Sequence, residues 1–403
     1  MNQTSWLLAT AVTLNGCALF GAPAAEDQPP AEPDRAVSLA ASEQGTCAVT
    51  QHGEVWCWGD DCHGAPVDGL RSLVCSTPSR VPGISDAAAL ALGNWGSKDV
   101  VLHRDGRVSQ GHGSDGFTWV KTDRARAIAN AGHFACALLE SGAVGCWDLS
   151  IEHEHEPAVV PGPADVVSLV ARQGLVCALA SAGTSWCWTA AHPGPIEPTS
   201  IEPTSVLALG HAHDYIDLGL RRLPNDRPRP SLQSEGGHAC LRTHAGVVRC
   251  WGGANRFGEI AQPSCAEQPC DTSLEIAPAL ELGDVVSFAL ALSHSCSLDR
   301  AGQVQCWGAS GWAQLGDGEG THDRARPDRI QTTRPFVELV AGYAHTCART
   351  AEGAVYCWGR NDDGQVGVGD RSDYYSTPQH VPGFGGPETP APAFERSRPE
   401  WEQ

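Results

Sequence analysis

The cysteines give this chain its clearest chemical pattern. The chain has 17 cysteines in 403 residues, and twelve of them form six pairs with the spacing C-x9-C, each pair followed directly by tryptophan. Zinc sites need ligands two to four residues apart, so this spacing argues against zinc. We therefore expect a disulfide within each pair. The six predicted bonds are Cys47–Cys57, Cys136–Cys146, Cys177–Cys187, Cys240–Cys250, Cys296–Cys306 and Cys347–Cys357.

Each of these pairs flanks a predicted β-hairpin. A glycine follows the first cysteine by six residues in every copy, and glycine supplies the positive φ that a tight turn requires. In the first copy, a register centred on His52 places Cys47 opposite Cys57 and Val49 opposite Val55 on one face. The glycines are Gly53, Gly142, Gly183, Gly246, Gly302 and Gly353.

The remaining five cysteines fit the same chemistry. Cys62 with Cys75, and Cys265 with Cys270, form two further local pairs in insertions, and Cys17 stands alone near the N-terminus. Sixteen of the 17 cysteines can therefore pair, which favours an oxidising compartment.

The N-terminal segment is predicted to direct export. Residues 6–14 (WLLATAVTL) are apolar over the length of a signal-peptide core, and Gly16 and Cys17 follow. The sequence LNGC resembles the lipobox of bacterial lipoproteins, which implies lipidation of Cys17; secretion with removal of Cys17 is the alternative. We expect residues 1–17 to be the signal peptide, 18–35 a flexible tether and 386–403 a disordered tail. The protein would then lie in the cell envelope, at the outer membrane or in the periplasm, or be secreted.

The number of hairpin copies indicates the fold. A seventh copy begins at Val100 and keeps Gly106, but Val100 and Gln110 occupy its two cysteine positions. A covalent pair predicts that both partners are lost together. The copies begin 53, 36, 41, 63, 56 and 51 residues apart, a mean of 50, which is typical of propellers and solenoids. We predict an all-β fold, a seven-bladed β-propeller over residues 36–385 with four strands in each blade.

A repeated segment predicts how the propeller closes. STPQHVPGF (376–384) after the last copy closely matches STPSRVPGI (76–84) after the first copy. The final segment has no following copy to lead into. We therefore expect the C-terminal strand to pair with the N-terminal blade and close the ring, which would remove exposed sheet edges.

Histidines and carboxylates offer weaker chemical candidates. Alternating histidines can bind zinc or copper, but they also suit a solvated acidic loop. Residues 361–364 (NDDG) resemble the start of a calcium loop whose glutamate at the twelfth position is missing. No G-x-S-x-G, H-E-x-x-H or G-x-x-x-x-G-K motif occurs, so we expect no catalytic residue, no metal, no cofactor and no enzymatic activity. The histidine candidates are His153 and His155 in IEHEHE, and His211 and His213 with Asp214 in HAHD.

Two segments resemble a known repeat family. Residues 342–370 (GYAHTCARTAEGAVYCWGRNDDGQVGVGD) and 293–318 (SHSCSLDRAGQVQCWGASGWAQLGDG) are similar to repeats of the regulator of chromosome condensation family. The resemblance implies a seven-bladed propeller closed by pairing of the chain ends, and the cysteine pairs resemble those of exported bacterial members. The tryptophan motif G-W-R-H-T of light-sensing members is absent. We expect the repeat tryptophans to pack in the core: Trp58, Trp147, Trp188, Trp251, Trp307 and Trp358.

Composition restricts the class of partner. The net charge is -20, and Lys98 and Lys121 are the only lysines, which argues against nucleic acid. No apolar run reaches the roughly 18 residues that span a bilayer, so we expect membrane contact only through the lipid anchor. The prediction is a monomeric scaffold that binds a protein or a cell-envelope glycan through insertions 60–73, 254–274 and 211–230. Alternatives are an extracellular inhibitor, a metal-dependent enzyme using His153 and His155, or a guanine nucleotide exchange factor-like protein.

Overall fold

Seven antiparallel β-sheets, one for each copy of the repeat, make up the described part of the chain. The strands of each sheet pair in chain order, so every sheet is a meander. This confirms the predicted all-β, seven-bladed architecture. The computed structural model describes residues 34–60, 74–93, 97–112, 116–150, 157–160, 165–172, 175–181, 185–189, 192–196, 204–209, 238–243, 248–252, 255–261, 280, 282–332 and 334–385.

The first three sheets have four strands each. Sheet 1 contains β1 (Ala36–Ala41), β2 (Gly45–Thr50), β3 (Val55–Gly59) and β4 (Cys75–Arg80). Sheet 2 contains β5 (Ala87–Ala91), β6 (Asp99–His103), β7 (Val108–His112) and β8 (Gly116–Val120). Sheet 3 contains β9 (Ala125–Asn130), β10 (Phe134–Leu139), β11 (Val144–Asp148) and β12 (Ala158–Val160).

Sheets 4, 6 and 7 also have four strands, whereas three strands of sheet 5 are described. Sheet 4 contains β13 (Val166–Arg172), β14 (Leu175–Ala180), β15 (Ser185–Thr189) and β16 (His192–Ile196), and sheet 5 contains β17 (Thr204–Leu209), β18 (His238–Thr243) and β19 (Val248–Gly252). Sheet 6 contains β20 (Val285–Leu290), β21 (His294–Asp299), β22 (Val304–Gly308) and β23 (Arg324–Arg329). Sheet 7 contains β24 (Glu338–Ala341), β25 (His345–Arg349), β26 (Val355–Arg360) and β27 (Tyr374–His380).

The hairpin register agrees with the one expected from the cysteine spacing. Cys47 faces Cys57, and Val49 faces Val55, across β2 and β3. The Thr50 N–H donates to the Glu54 carbonyl beside the turn, so the facing pairs alternate and the cysteines form a non-hydrogen-bonded pair. Their Cα atoms are 4.0 Å apart, close enough for a disulfide to join them without moving the backbone.

For five of the predicted disulfides the structure describes both cysteines, and for two more it describes one bonded cysteine of the pair. Cys75 and Cys177 are also disulfide-bonded, and the backbone of Cys177 faces that of Cys187. The predicted residues Cys17, Cys62, Cys265 and Cys270, and the side chain of Cys187, lie outside the described residues. The five complete bonds are Cys47–Cys57, Cys136–Cys146, Cys240–Cys250, Cys296–Cys306 and Cys347–Cys357.

The glycine of the hairpin turn also sets the distance to the next sheet. Gly53 has a φ of +84°, and a Cβ on it would lie 2.7 Å from the Asp86 Cα. Its carbonyl accepts a hydrogen bond of 3.0 Å from the Ala87 N–H at the start of sheet 2. A side chain at Gly53 would therefore strain the turn and push sheets 1 and 2 apart.

Sheet 2 keeps the register without a disulfide. Val100 faces Gln110, as the alignment of the copies predicts. The Gln110 Oε1 accepts a hydrogen bond of 2.7 Å from the Trp147 Nε1 of sheet 3. The residue that replaces the second cysteine thus connects two sheets.

Apolar layers fill the space between consecutive sheets. Six clusters of buried side chains each combine residues of two sheets, and one of these clusters joins sheet 7 to sheet 1. Among the repeat tryptophans, Trp58, Trp307 and Trp358 are fully buried and Trp147 is nearly so, which confirms their packing role. The side chains of Trp188 and Trp251 lie outside the described part.

At the joint between sheets 7 and 1, the pairing predicted between the C-terminal strand and the N-terminal blade is limited to one bridge. β27 pairs with β26 inside sheet 7, because sheet 1 already has four strands of its own. Beyond β27, Phe384 forms a single parallel bridge with Asp34. The Ala36 N–H donates to the Gly353 carbonyl at 3.1 Å, the same bond that joins Ala87 to Gly53. The predicted closing of the ring by pairing of the C-terminal strand with the N-terminal blade is therefore not confirmed.

Candidate binding surface on the connecting loops

Three loops of one design follow the third strands of sheets 5, 6 and 7. We call them loop 5 (255–261), loop 6 (310–316) and loop 7 (361–367), after the sheets that they leave. In each loop a glutamine or glutamate side chain accepts the backbone N–H two residues earlier, at 2.8 to 3.0 Å. This bond fixes the turn, because it satisfies an N–H that the turn leaves unpaired. The three residues are Glu259, Gln314 and Gln365.

The same three residues connect each loop to the next sheet. Their backbone carbonyls accept hydrogen bonds from the indole Nε1 of the repeat tryptophan in the following sheet. The pairs are Trp307 with Glu259 at 2.9 Å, Trp358 with Gln314 at 3.0 Å, and Trp58 with Gln365 at 3.0 Å. Loop 7 thereby contacts sheet 1, and the three loops are held firmly on the body of the protein.

One position of the loop design varies in chemistry. This position lies two residues before the glutamate or glutamine whose side chain accepts its backbone N–H. It is Phe257 in loop 5, Trp312 in loop 6 and Asp363 in loop 7. The Trp312 side chain is 37% exposed. Ala313, next to it, has a φ of +54° where loop 7 has Gly364, so loop 6 holds its tryptophan on a strained backbone.

An arginine stacks on this exposed tryptophan. The Arg360 guanidinium carbon lies 5.1 Å from the centroid of the Trp312 ring. The Asp362 carboxylate binds that guanidinium at 2.5 Å and 2.7 Å, and Asp363 lies 3.4 Å away. Arg371 faces Asp363 at 3.7 Å. The cluster therefore combines an aromatic ring with two cations and two carboxylates.

Charge neighbours keep the arginine ionised. Burial opposes the charge of Arg360, but hydrogen bonding and attraction from Asp362 and Asp363 outweigh it and raise the pKa. Burial, followed by repulsion from Asp362, raises the pKa of the Asp363 carboxyl. Arg360 is therefore a cation at neutral pH.

The NDDG segment, which resembles the start of a calcium loop in sequence, forms a turn. The Asn361 Oδ1 accepts the Val366 N–H at 3.1 Å, and the Asn361 Nδ2 donates to Asp370 at 2.9 Å. Asp362 and Asp363 are committed to arginines. The segment is thus a turn with its carboxylates neutralised, and no group of three or more His, Cys, Asp or Glu side chains placed to hold a metal occurs among the described residues.

Several other predicted site residues lie outside the described part of the chain. They are His153, His155, His211, His213 and Asp214, together with most of the three insertions that we expected to bind a partner. Within the segments described, no helix is long and apolar enough to cross a membrane.

The first strands of sheets 1, 2, 3, 4, 6 and 7 line a cavity of about 460 Å³. Its described lining consists of aliphatic and small side chains, with Phe288, Asn130 and two serines, and contains no charged group.

The sequence analysis did not identify Trp312 and Arg360 as candidate binding residues, nor Gln314 and Gln365 as the residues that fix loops 6 and 7. One signal was available: Trp312 is a tryptophan outside the repeat position that follows each cysteine pair. A second was the recurrence of Gln or Glu, an apolar residue and then Gly or Ala in EIA, QLG and QVG after the third strand.

Comparisons with known proteins agree with the repeat architecture. A family model described as "Regulator of chromosome condensation (RCC1) repeat" matches residues 36–65 and 336–365, and a second model with this description matches residues 352–389. The chain is similar to the probable E3 ubiquitin-protein ligase HERC4 of Mus musculus, with 38% identity over 93 residues, which cover 23% of this chain and 9% of that protein. It is 25% identical over 347 residues to the E3 ubiquitin-protein ligase HERC2 of Homo sapiens, covering 83% of this chain and 6% of that protein.

The match therefore spans less than a tenth of the length of these two relatives. Among solved structures, Prp20p of Saccharomyces cerevisiae is similar with a TM-score of 0.63 and 16% identity, covering 83% of this chain and 87% of that one. At this identity the likeness shows a shared fold.

Proposed function

We propose that this member of the regulator of chromosome condensation repeat family is an exported, lipid-anchored propeller. It binds a protein partner through loops 6 and 7. The observation that carries the proposal is the stack of Arg360 on the exposed Trp312. Tryptophan and arginine are the side chains most enriched where protein interfaces gain their affinity. Trp312 stands on loop 6, which hydrogen bonds fix in place, and Arg360 ends β26 just before loop 7, so binding costs little ordering of the surface.

Charge supports a partner with a basic contact surface. The chain carries a net charge of -20, and Asp362 and Asp363 neutralise the two arginines of the cluster. A partner whose contact surface is positive would be attracted over a distance and would meet a complementary potential. The relatives give a parallel: the yeast Prp20p structure is described with its binding to Gsp1p and histones, which are proteins.

Export and anchoring rest on the N-terminal segment and on the disulfides. The apolar residues 6–14 and the LNGC sequence at Cys17 support a lipoprotein signal. Disulfides persist in oxidising compartments, so the seven bonds seen wholly or in part support a location in the cell envelope. The proposed binding needs no catalytic group and no second copy of the chain.

Affinity capture from a native envelope extract tests the binding surface. The immobilised wild-type protein is compared with Trp312→Ala, Arg360→Ala and, as the matched control, Trp119→Ala, which removes an exposed tryptophan from sheet 2. We expect the first two variants to bind a captured protein at least tenfold more weakly, and more salt to weaken wild-type binding further. Equal capture by Trp312→Ala and the control would refute the surface. Capture of a glycan in place of a protein would refute the partner class.

The anchor is tested separately. Metabolic labelling with a fatty-acid probe should mark the wild-type chain and leave Cys17→Ser unmarked, and the variant should move from the membrane fraction to the soluble fraction. An unlabelled wild-type chain would contradict anchoring without affecting the binding proposal.

A further inference from the structure

Sheet 2 contains a serine, a histidine and an aspartate joined by two short hydrogen bonds. The Asp86 Oδ1 lies 2.6 Å from the His103 Nδ1, and the His103 Nε2 lies 2.8 Å from the Ser109 Oγ. Asp86 precedes β5, His103 ends β6 and Ser109 lies in β7. Three neighbouring segments of one sheet thus build this relay, in the copy of the repeat that has no disulfide.

Three other histidines provide an internal comparison. Each places its Nε2 2.6 to 2.9 Å from a hydroxyl of the next sheet, and each is fully buried. Their Nδ1 atoms have no hydrogen-bond partner among the described residues. These three pairs therefore connect sheets, whereas His103 alone of the four holds a carboxylate on its second nitrogen. The pairs are His238 with Ser295, His294 with Thr346, and His345 with Thr46.

The carboxylate decides what the imidazole does. A carboxylate only accepts hydrogen bonds, so Asp86 holds the proton of the neutral His103 ring on Nδ1. The Nε2 lone pair then faces the Ser109 hydroxyl, ready to accept its proton. Asp86 is also the water-accessible end of the relay, because its side chain is 47% exposed.

A tryptophan lies beside the serine on the neighbouring strand. Trp119 faces Ser109 directly across β7 and β8, and its ring centroid lies 4.6 Å from that of His103. The Arg107 guanidinium carbon lies 4.0 Å from the centroid of the Trp119 ring. Trp119 is 47% exposed while Ser109 is 2% exposed. Trp119 thus lies on the same face of the sheet as Ser109 and packs against His103, and we expect its removal to open the hydroxyl to a reagent.

We propose that Ser109 is a shielded nucleophile that accepts acyl groups from small activated esters, with His103 as its base and Asp86 as the residue that orients the base. The Ser109 Oγ bonds to the ester carbonyl carbon while its proton passes to the His103 Nε2. The bond from that carbon to the leaving alcohol oxygen breaks, and the alcohol takes the proton from Nε2. Water repeats both steps on the acylated serine and releases the acid and the free hydroxyl.

Covalent labelling with a fluorophosphonate probe tests this chemistry. The Ser109 Oγ attacks phosphorus, fluoride leaves, and the modified peptide is identified by mass. We expect Ser109 to be labelled in the wild-type protein and at least tenfold faster in Trp119→Ala. Adding His103→Gln to Trp119→Ala should slow labelling at least a hundredfold, since it removes the base. Ser109→Ala should abolish the label.

Two controls separate reactivity from folding. Ser295, which pairs with His238 without a carboxylate, should stay unlabelled in every variant. Asp86→Asn keeps the histidine and serine in place and should slow labelling at least tenfold in a protein whose unfolding transition matches the wild type. Absence of the label on Ser109 in folded Trp119→Ala, or labelling unaffected by both His103→Gln and Asp86→Asn, would overturn the proposal. Labelling of Ser109 would show that the expectation of no catalytic residue was wrong. This result would not bear on the binding surface proposed for loops 6 and 7.

Discussion

The His345 Nε2 of sheet 7 lies 2.8 Å from the Thr46 Oγ1 of sheet 1, although the two residues are 299 positions apart. Glu338 bridges the same joint: its carboxylate accepts the Leu39 N–H at 3.0 Å and the Arg349 Nε at 2.8 Å. The first and last sheets are thus joined by buried side chains of the kind that join their neighbours.

The buried histidines make stability depend on pH. Burial lowers the pKa of His345 to about 3, and nearby Arg360 acts in the same direction; burial also lowers the pKa of His294 to about 3 and of His238 to about 4. In the unfolded chain these groups titrate near 6.5. Below that pH the unfolded state binds protons that the folded state excludes, so stability falls as the pH drops from about 6.5 towards 4.

In that range each histidine should lower the free energy of unfolding by about 1.4 kcal/mol for every pH unit that the pH falls. Urea unfolding of the wild type and His345→Gln at several pH values measures it, and the variant should lose one histidine's share of the slope. Parallel curves for the two proteins would contradict the assignment, since carboxylates contribute equally to both.

A glycine pair tests the contact between loop 6 and sheet 7. Gly316 has a φ of +68°, and a Cβ on it would lie 2.6 Å from the Trp358 Nε1, whereas Gly320 has a φ of +85° and open space around it. Alanine at either position must adopt a left-handed backbone conformation, which lowers the free energy of unfolding by about 1 kcal/mol. Only Gly316→Ala also meets the indole, and we expect it to lower the free energy of unfolding by about 1 to 3 kcal/mol more than Gly320→Ala. Equal losses in urea unfolding would show that the indole moves aside freely.

The carboxylate at the joint of sheets 7 and 1 should matter for local opening. Glu338→Ala leaves the Leu39 N–H and the half-buried Arg349 without that partner. We expect a loss of about 1 to 3 kcal/mol and faster hydrogen exchange at the Leu39 amide. Arg80→Ala, which breaks the more exposed pair with Glu54, is the control and should change stability by less than about 1 kcal/mol.

A disulfide can be introduced into sheet 2. Val100 and Gln110 face each other in the register that the cysteine pairs use elsewhere. Val100→Cys with Gln110→Cys should oxidise to a disulfide, detectable as a loss of two hydrogen masses. The bond should contribute roughly 2 to 3 kcal/mol, less about 1 kcal/mol for the lost hydrogen bond to Trp147. Free thiols after mild oxidation would show that sheet 2 departs from the shared geometry.

The sequence was informative where the interactions are local. The Cys47–Cys57 register and the turn at Gly53 follow from residues within one hairpin, and the structure has both. The contacts between sheets join residues tens to hundreds of positions apart, as His294 with Thr346 or Trp58 with Gln365 do, and hairpin periodicity carries no information on them. The pairing of the C-terminal strand with the N-terminal blade was inferred from a repeated segment. Such a segment marks an equivalent position in sheets 1 and 7 and does not identify the pairing partner.

The candidate surface illustrates the same limit. Trp312 and Arg360 are 48 positions apart and belong to different copies of the repeat, so only the packing of loop 6 against sheet 7 brings them together. Asp86, His103 and Ser109 are spaced 17 and 6 residues apart, which matches no linear motif for a nucleophile, because the sheet pairing and not the spacing aligns them.

The bridge between Asp34 and Phe384 has a consequence for the order of the chain. The Gly385 N–H donates to the Asp34 carbonyl at 3.2 Å, so the two ends of the seven-sheet body touch. Each described sheet is built from one stretch of chain, so a break between two sheets leaves the strand pairing inside each of them intact. A circularly permuted chain, with residues 34 and 385 spliced and new ends at the open Pro82–Gly83 turn, would preserve every sheet.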